Sequence, residues 1–140
     1  MYMGSLTTAQ VLRAISDDKS MHLFRLISQN DKGTDSESLK GQSKLTRKQF
    51  YSRLSRLTRT GLVKRRKGRY SMTLLGKIVH SSQSRIDTAL ANYWKLKAID
   101  SLETSKELPI EEQQKLIDGM LKDQKELRDI IGNKLKYTEA

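Results

Sequence analysis

Apolar residues recur along the first half of the chain at the three-and-four spacing of amphipathic helices. Val11, Leu12 and Ile15 follow Leu6-Thr7-Thr8 and predict a short opening helix. Ser16-Asp17-Asp18 places capping oxygens and negative charge where a helix N-terminus favours both. Met21, Leu23, Phe24, Leu26 and Ile27 then form the stripe of a second helix, which stops at the turn cluster Asn30-Asp31-Lys32-Gly33. Residues 36–41 predict a brief third helix anchored by Leu39, and a tight connection leads on through Leu45. The strongest pattern begins at Thr46. Thr46-Arg47-Lys48-Gln49 has the form of a capping box, and Phe50, Leu54 and Leu57 fall at i, i+4 and i+7. Gly61 supplies a residue that tolerates positive φ, so the helix is expected over about 46–60.

Beyond Gly61 the period changes. Leu62-Val63-Lys64-Arg65 and Tyr70-Ser71-Met72-Thr73 are short β-like runs around Arg66-Lys67-Gly68-Arg69, which predicts a hairpin. Leu74, Leu75, Ile78 and Val79 open a long helix whose apolar positions continue at Ile86, Ala89, Leu90, Tyr93, Leu96 and Leu102. A helix of about thirty residues would be about 45 Å long at about 1.5 Å per residue. The series Leu75, Val79, Ser82, Ile86, Ala89, Tyr93, Leu96 steps by four and three, the rhythm of a helix-pairing seam. A break is expected near Ser105, with Pro109 early in the next helix. Ile110, Ile117, Met120, Leu127 and Ile131 then fall mostly on one face, and Gly132-Asn133 is the expected end. The fold class expected is mainly α with a small β-hairpin, divided into 1–80 and a helical extension over 81–140.

Charge narrows the picture. The net charge is +11, but it is not spread evenly. No Asp or Glu occurs from Ser38 to Ile86, where fourteen Lys or Arg stand; elsewhere thirteen basic residues meet all sixteen acidic ones. Solvated faces usually mix both signs. A stretch cleared of carboxylates is what a surface facing a polyanion requires, because each acid would repel a phosphate. With no cysteine there is no disulfide and no thiolate metal site. His22 and His80 read as packing or surface residues, so no metal and no cofactor is expected. No run reaches the ~18 apolar residues of a membrane span. The N-terminus lacks the parts of a signal peptide, which makes the cytoplasm the expected compartment.

Within that basic stretch, Tyr51-Ser52-Arg53-Leu54-Ser55-Arg56-Leu57, Thr60-Gly61-Leu62-Val63 and Gly68-Arg69-Tyr70-Ser71-Met72-Thr73-Leu74-Leu75-Gly76 stand in a telling order. The segment from Leu39 to Val79 resembles the winged helix-turn-helix domain of bacterial and archaeal regulators, including the ArsR-like and MarR-like groups. The resemblance implies a winged helix-turn-helix followed by long C-terminal helices, with the 46–60 helix in the DNA major groove and the 62–73 hairpin as a wing on the backbone or minor groove. ArsR-like metal sensors carry cysteine or histidine–carboxylate clusters that are not found in this sequence.

Taking about 100° per residue, the face opposite Phe50, Leu54 and Leu57 carries Lys48, Gln49, Ser52, Ser55, Arg56 and Arg59. Lys48, Gln49, Ser52 and Arg56 are the expected groove-facing residues, since the forks of Gln and Arg match adenine and guanine edges. Arg47, Arg53 and Arg59 are expected on phosphates, and Lys64, Arg65, Arg66, Lys67 and Arg69 on the wing. A seam through Leu75, Val79, Ile86, Leu90, Tyr93, Trp94 and Leu96 is the expected homodimer interface, which would present two reading helices to two half-sites of double-stranded DNA. No phosphate loop, nucleophile elbow or paired apolar carboxylates occur, so catalysis is not expected. A nonspecific architectural DNA binder of the chromatin type, and a winged-helix protein-interaction module of transcription machinery, remain the alternatives.

Overall fold

The computed structural model describes residues 5–104 and 107–139, so the break expected near Ser105 lies outside the described residues. The protein is mainly helical with a small three-stranded antiparallel sheet, and it divides into two compact units, Met1–Ser82 and Gln83–Ala140. The first unit runs α1 (Thr8–Ala14), α2 (Asp18–Ser28), β1 (Thr34–Asp35), α3 (Ser36–Ser43), α4 (Arg47–Arg59), β2 (Val63–Arg66), β3 (Arg69–Met72) and the beginning of α5 (Leu74–Ala91). The second holds the rest of α5, then α6 (Tyr93–Glu103), α7 (Ile110–Met120) and α8 (Lys125–Glu139). No helix among the described residues is long and apolar enough to cross a membrane.

Caps set the helix starts. Thr7 and Thr46 both close capping boxes with the glutamine three residues on, and Asp17 and Asp35 accept from the backbone N–H of Ser20 and Ser38. The C-terminus of α4 ends in a left-handed glycine. Gly61, at φ +77°, donates to the Thr58 carbonyl while Leu62 donates back to Leu57, and both leucines are fully buried. Leu23, Phe24 and Ile27 of α2 meet Leu39, Phe50, Leu54 and Leu57 in one core, to which Leu62, Val63 and Met72 bring the base of the hairpin. A buried ring such as Phe50 stabilises the fold by about 2–3 kcal/mol through area removed from water.

The hairpin loop has two residues, Lys67 and Gly68, between the paired positions Arg66 and Arg69. Both have positive φ, +54° and +75°, as the tight turn matching strand twist requires. Glycine accepts this freely; lysine does not. Lys67→Asn is therefore expected to raise stability by about 0.5 kcal/mol, since Asn tolerates the left-handed region better, and thermal melts would register it as a small rise in Tm.

Four expectations are corrected. The sheet has a third strand, with β1 pairing β3 through Thr34↔Tyr70 and Asp35↔Arg69; two residues are too few to carry a periodic signal. The long helix is interrupted at Asn92, whose side-chain amide donates to the Thr88 carbonyl. The segment after Pro109 is two helices rather than one, and α8 runs through Gly132-Asn133 to Glu139. Finally, the expected pairing seam is split by packing within the chain. Val79 packs against the first core, and Leu96 packs against a second core of Ile99, Ile117, Leu121 and Leu127.

Candidate nucleic-acid interface

The stripe that buries α4 also decides what it exposes. With Phe50, Leu54 and Leu57 inward, Arg47, Lys48, Ser52, Ser55, Arg56 and Arg59 are exposed. Five further cations, Lys64, Arg65, Arg66, Lys67 and Arg69, are exposed along the hairpin, and a cleft of about 260 Å³ separates it from α4. Tyr51, Ser55, Thr58 and Arg59 line one side of that cleft, Arg65 and Tyr70 the other. The guanidinium of Arg47 lies 5.8 Å from the centre of the Tyr51 ring, and that of Arg65 lies 5.9 Å from Tyr70. Each arginine is thus steadied by a ring face without losing its charge.

Arg66 and Arg69 are directly opposite each other across the strands. Like charges in that position destabilise a sheet pair. Part of the compensation comes from within the chain: Arg69 donates to the Gly33 carbonyl at 3.2 Å and pairs in register with Asp35. Hydrogen bonds from the side chain and backbone N–H of Ser38 hold the Asp35 carboxyl below the usual carboxylate range, with a smaller contribution from Arg69.

Two of the expected contact residues are committed elsewhere. Gln49 is half-buried, and its side-chain oxygen accepts the Thr46 N–H at 3.2 Å in the capping box; a side chain holding its own helix start cannot also present a full fork to adenine. Arg53 is likewise half-buried, with Nε 3.3 Å from Asp17 and Nη1 donating to the Gln49 carbonyl. Arg56 stands 3.9 Å from the other Asp17 oxygen. The stretch free of acids in sequence is therefore not free of them in space. Asp17 caps α2 and, because α2 packs on α4, its carboxylate reaches Arg53, 36 residues away, and approaches Arg56 beyond it. Nothing in the local sequence around either partner signals that approach. Sequence reasoning also passed over Arg13, which shares a cleft with Arg56 and Arg59.

Burial pushes the Asp17 carboxyl up, but the backbone N–H and hydroxyl of Ser20 and the Arg53 guanidinium outweigh it and hold the group below its ordinary value. Asn caps helices as well as Asp does, so Asp17→Asn keeps α2 while releasing both arginines. If this face meets duplex DNA, affinity should rise roughly threefold to tenfold at ~0.1 M salt, about one phosphate contact's worth. Because the folded group is the stronger acid, its stabilising contribution is complete above the unfolded pKa and disappears as pH falls through the lower folded one. The melting-temperature advantage of the native chain over Asp17→Asn should accordingly shrink below about pH 4.

Among the described residues, Lys48, Arg59, Lys64, Arg65, Arg66 and Lys67 have no carboxylate within ion-pair distance. No family model, no curated protein and no solved structure matches this chain.

Proposed function

We propose that the first unit is a winged helix-turn-helix domain that binds double-stranded DNA, and that the protein is a transcription regulator. In this reading α4 enters the major groove, Lys48, Ser52 and Arg56 face base edges, and Arg47 and Arg59 hold phosphates. The hairpin is the wing. Its cations follow the backbone, and an arginine at its tip can enter a narrow minor groove. The observation that carries the reading is that α4 and the hairpin flank one cleft, and that each bears exposed cations without a carboxylate partner among the described residues, Lys48 and Arg59 on α4 and Lys64, Arg65, Arg66 and Lys67 on the hairpin.

Fluorescence anisotropy on labelled duplexes tests it. A regulator binds duplexes recovered by selection at least a hundredfold more tightly than random ones at the same salt. Equal affinity for all sequences with a steep salt slope moves the protein to the architectural class, which the loss of Gln49 as a base reader favours. No affinity for any duplex removes both.

The regulator acts as a dimer in this proposal, with a second copy on the apolar residues that α5 and α6 leave outside. Ile78, Ile86, Leu90 and Trp94 are 66, 57, 64 and 78% exposed. Ile86 and Leu90 are one turn apart on the same side of α5, and a two-fold-related copy would meet the same pair. Exposed apolar side chains one turn apart are the kind of surface an associating partner covers. A monomeric mass at micromolar concentration would remove this part of the reading and leave the DNA-binding unit untouched.

A further inference from the structure

The structure also holds a second cleft, of about 500 Å³, between α1 and the C-terminal end of α4. We infer that it binds a small organic anion carrying two or more acidic groups, and that its occupancy and the DNA contact of α4 exclude each other. The second half of this inference rests on the reading of α4 as a DNA-binding helix; the first does not.

Three guanidinium-bearing side chains line the cleft. Gln10 and Arg13 lie on one face of α1, three residues apart, and Arg56 and Arg59 occupy the last turn of α4 in the same spacing. Leu6 and the buried Ala14 give it an apolar wall. The hydrogen-bond chemistry around this space is one-sided. The Gln10 side-chain oxygen is taken by the Thr7 N–H at 2.8 Å, which leaves its amide hydrogens to give. The Thr60 hydroxyl already donates to the Arg56 and Leu57 carbonyls. Those carbonyls, with that of Thr58, also take the N–H groups of Thr60, Leu62 and Gly61, so these three acceptors are already engaged. The side chains of Gln10, Arg13, Arg56 and Arg59 add donors and positive charge. Among the described residues, the only carboxylate paired with these arginines is Asp17, 3.9 Å from Arg56.

Size and charge then define the ligand. The volume lies within the range of small-molecule sites and is far more than one inorganic anion fills. One arginine satisfies one carboxylate through its fork; three of them match a polyanion on a short carbon body, whose apolar part can lie on Leu6 and Ala14. Such a ligand draws Arg56 and Arg59 toward α1. Both belong to the exposed face of α4, so a bound anion neutralises charge that a DNA phosphate would otherwise meet.

Citrate, succinate and 3-phosphoglycerate serve as probes, acetate as the single-charge control, all with the full chain at fixed ionic strength. At least one probe is expected to raise Tm in a saturable manner where acetate does not. Arg13→Gln, outside the proposed DNA face, should weaken that response tenfold or more while changing duplex affinity less than threefold. The same probe should displace a labelled duplex from the native chain and not from Arg13→Gln. No probe-specific shift, or equal shifts in both proteins, overturns the site. A shift that depends on Arg13 but leaves a bound duplex in place overturns the exclusion alone. Anion binding in a chain with no affinity for duplex supports the cleft as a site and removes the nucleic-acid reading instead.

Discussion

Replacing Arg59, Arg66 and Lys67 together by alanine is expected to weaken duplex binding several-hundredfold at ~0.1 M salt. Each cation that neutralises a phosphate releases condensed counterion and adds about 0.9 to the slope of log K against log salt. Losing three should flatten the slope by about 2.7, and at ~0.1 M salt that slope difference corresponds to between two and three decades of affinity. The three are chosen because the fold does not need them. All are exposed, and none has an ion-pair partner among the described residues. Arg65 is left in place because its guanidinium packs over Tyr70. Thermal stability should hold or rise slightly, since Arg66 no longer opposes Arg69 across the strands. Anisotropy titrations at several salt concentrations read both quantities. A loss below tenfold with an unaltered slope would show that phosphates lie elsewhere, and the interface assigned to α4 and the hairpin would fall.

The second large effect is on the fold. Gly76→Ala should destabilise the first unit by about 3 kcal/mol or more, toward the upper end of overpacking costs. Gly76 lies in the first turn of α5 against the backbone of Leu62. A Cβ at this position would overlap the Leu62 carbonyl oxygen and come within 3.1 Å of its carbon, with Met72 Cβ at 3.4 Å. Backbone cannot turn aside as a side-chain tip can. The same Leu62 oxygen accepts the Thr73 N–H, and the Thr73 hydroxyl bridges from the Gly61 carbonyl to the Gly76 N–H. The end of the hairpin, the end of α4 and the start of α5 are joined at this point, so moving one strains the others. For a unit of this size the expected fall in Tm is at least ~12 °C. Gly119→Ala is the control. It lies in α7 with nothing within 4 Å of an added Cβ, and the better helix propensity of alanine should stabilise by about 0.5–1 kcal/mol. A Gly76→Ala protein that melts with the native chain would mean that the two backbones can separate without loss.

Legibility in the sequence followed the range of the forces involved. The caps at Thr46 and Gln49, the left-handed stop at Gly61 and the turn at Gly68 are decided within four or five residues, and all were readable. The α4 face was readable for the same reason, because a 3.6-residue period converts sequence spacing directly into angle. The competition for Gln49 was visible too, since one side chain was given both a cap and a base edge; the cap is local and always present, so it takes precedence. What escaped was decided by tertiary approach. Asp17 meets Arg53 only after α2 lies on α4. β1 is a strand only because β3 offers it a partner. The helix interruption at Asn92 is a further case: its amide bonds to the Thr88 carbonyl, an option open to any asparagine near a helix end and taken here without a preceding proline or glycine to announce it.

The pairing of Thr34–Asp35 with β3 has a dynamic consequence. An isolated two-stranded ribbon frays and swings in water. Here the hairpin is held on one flank by the segment leading directly into α3. Its orientation toward α4 is thus fixed during folding, and little ordering entropy is left to lose on meeting a ligand. Amide hydrogens of Arg69 and Tyr70 should exchange slowly in the free protein, and association should approach the speed of a rigid, electrostatically guided encounter.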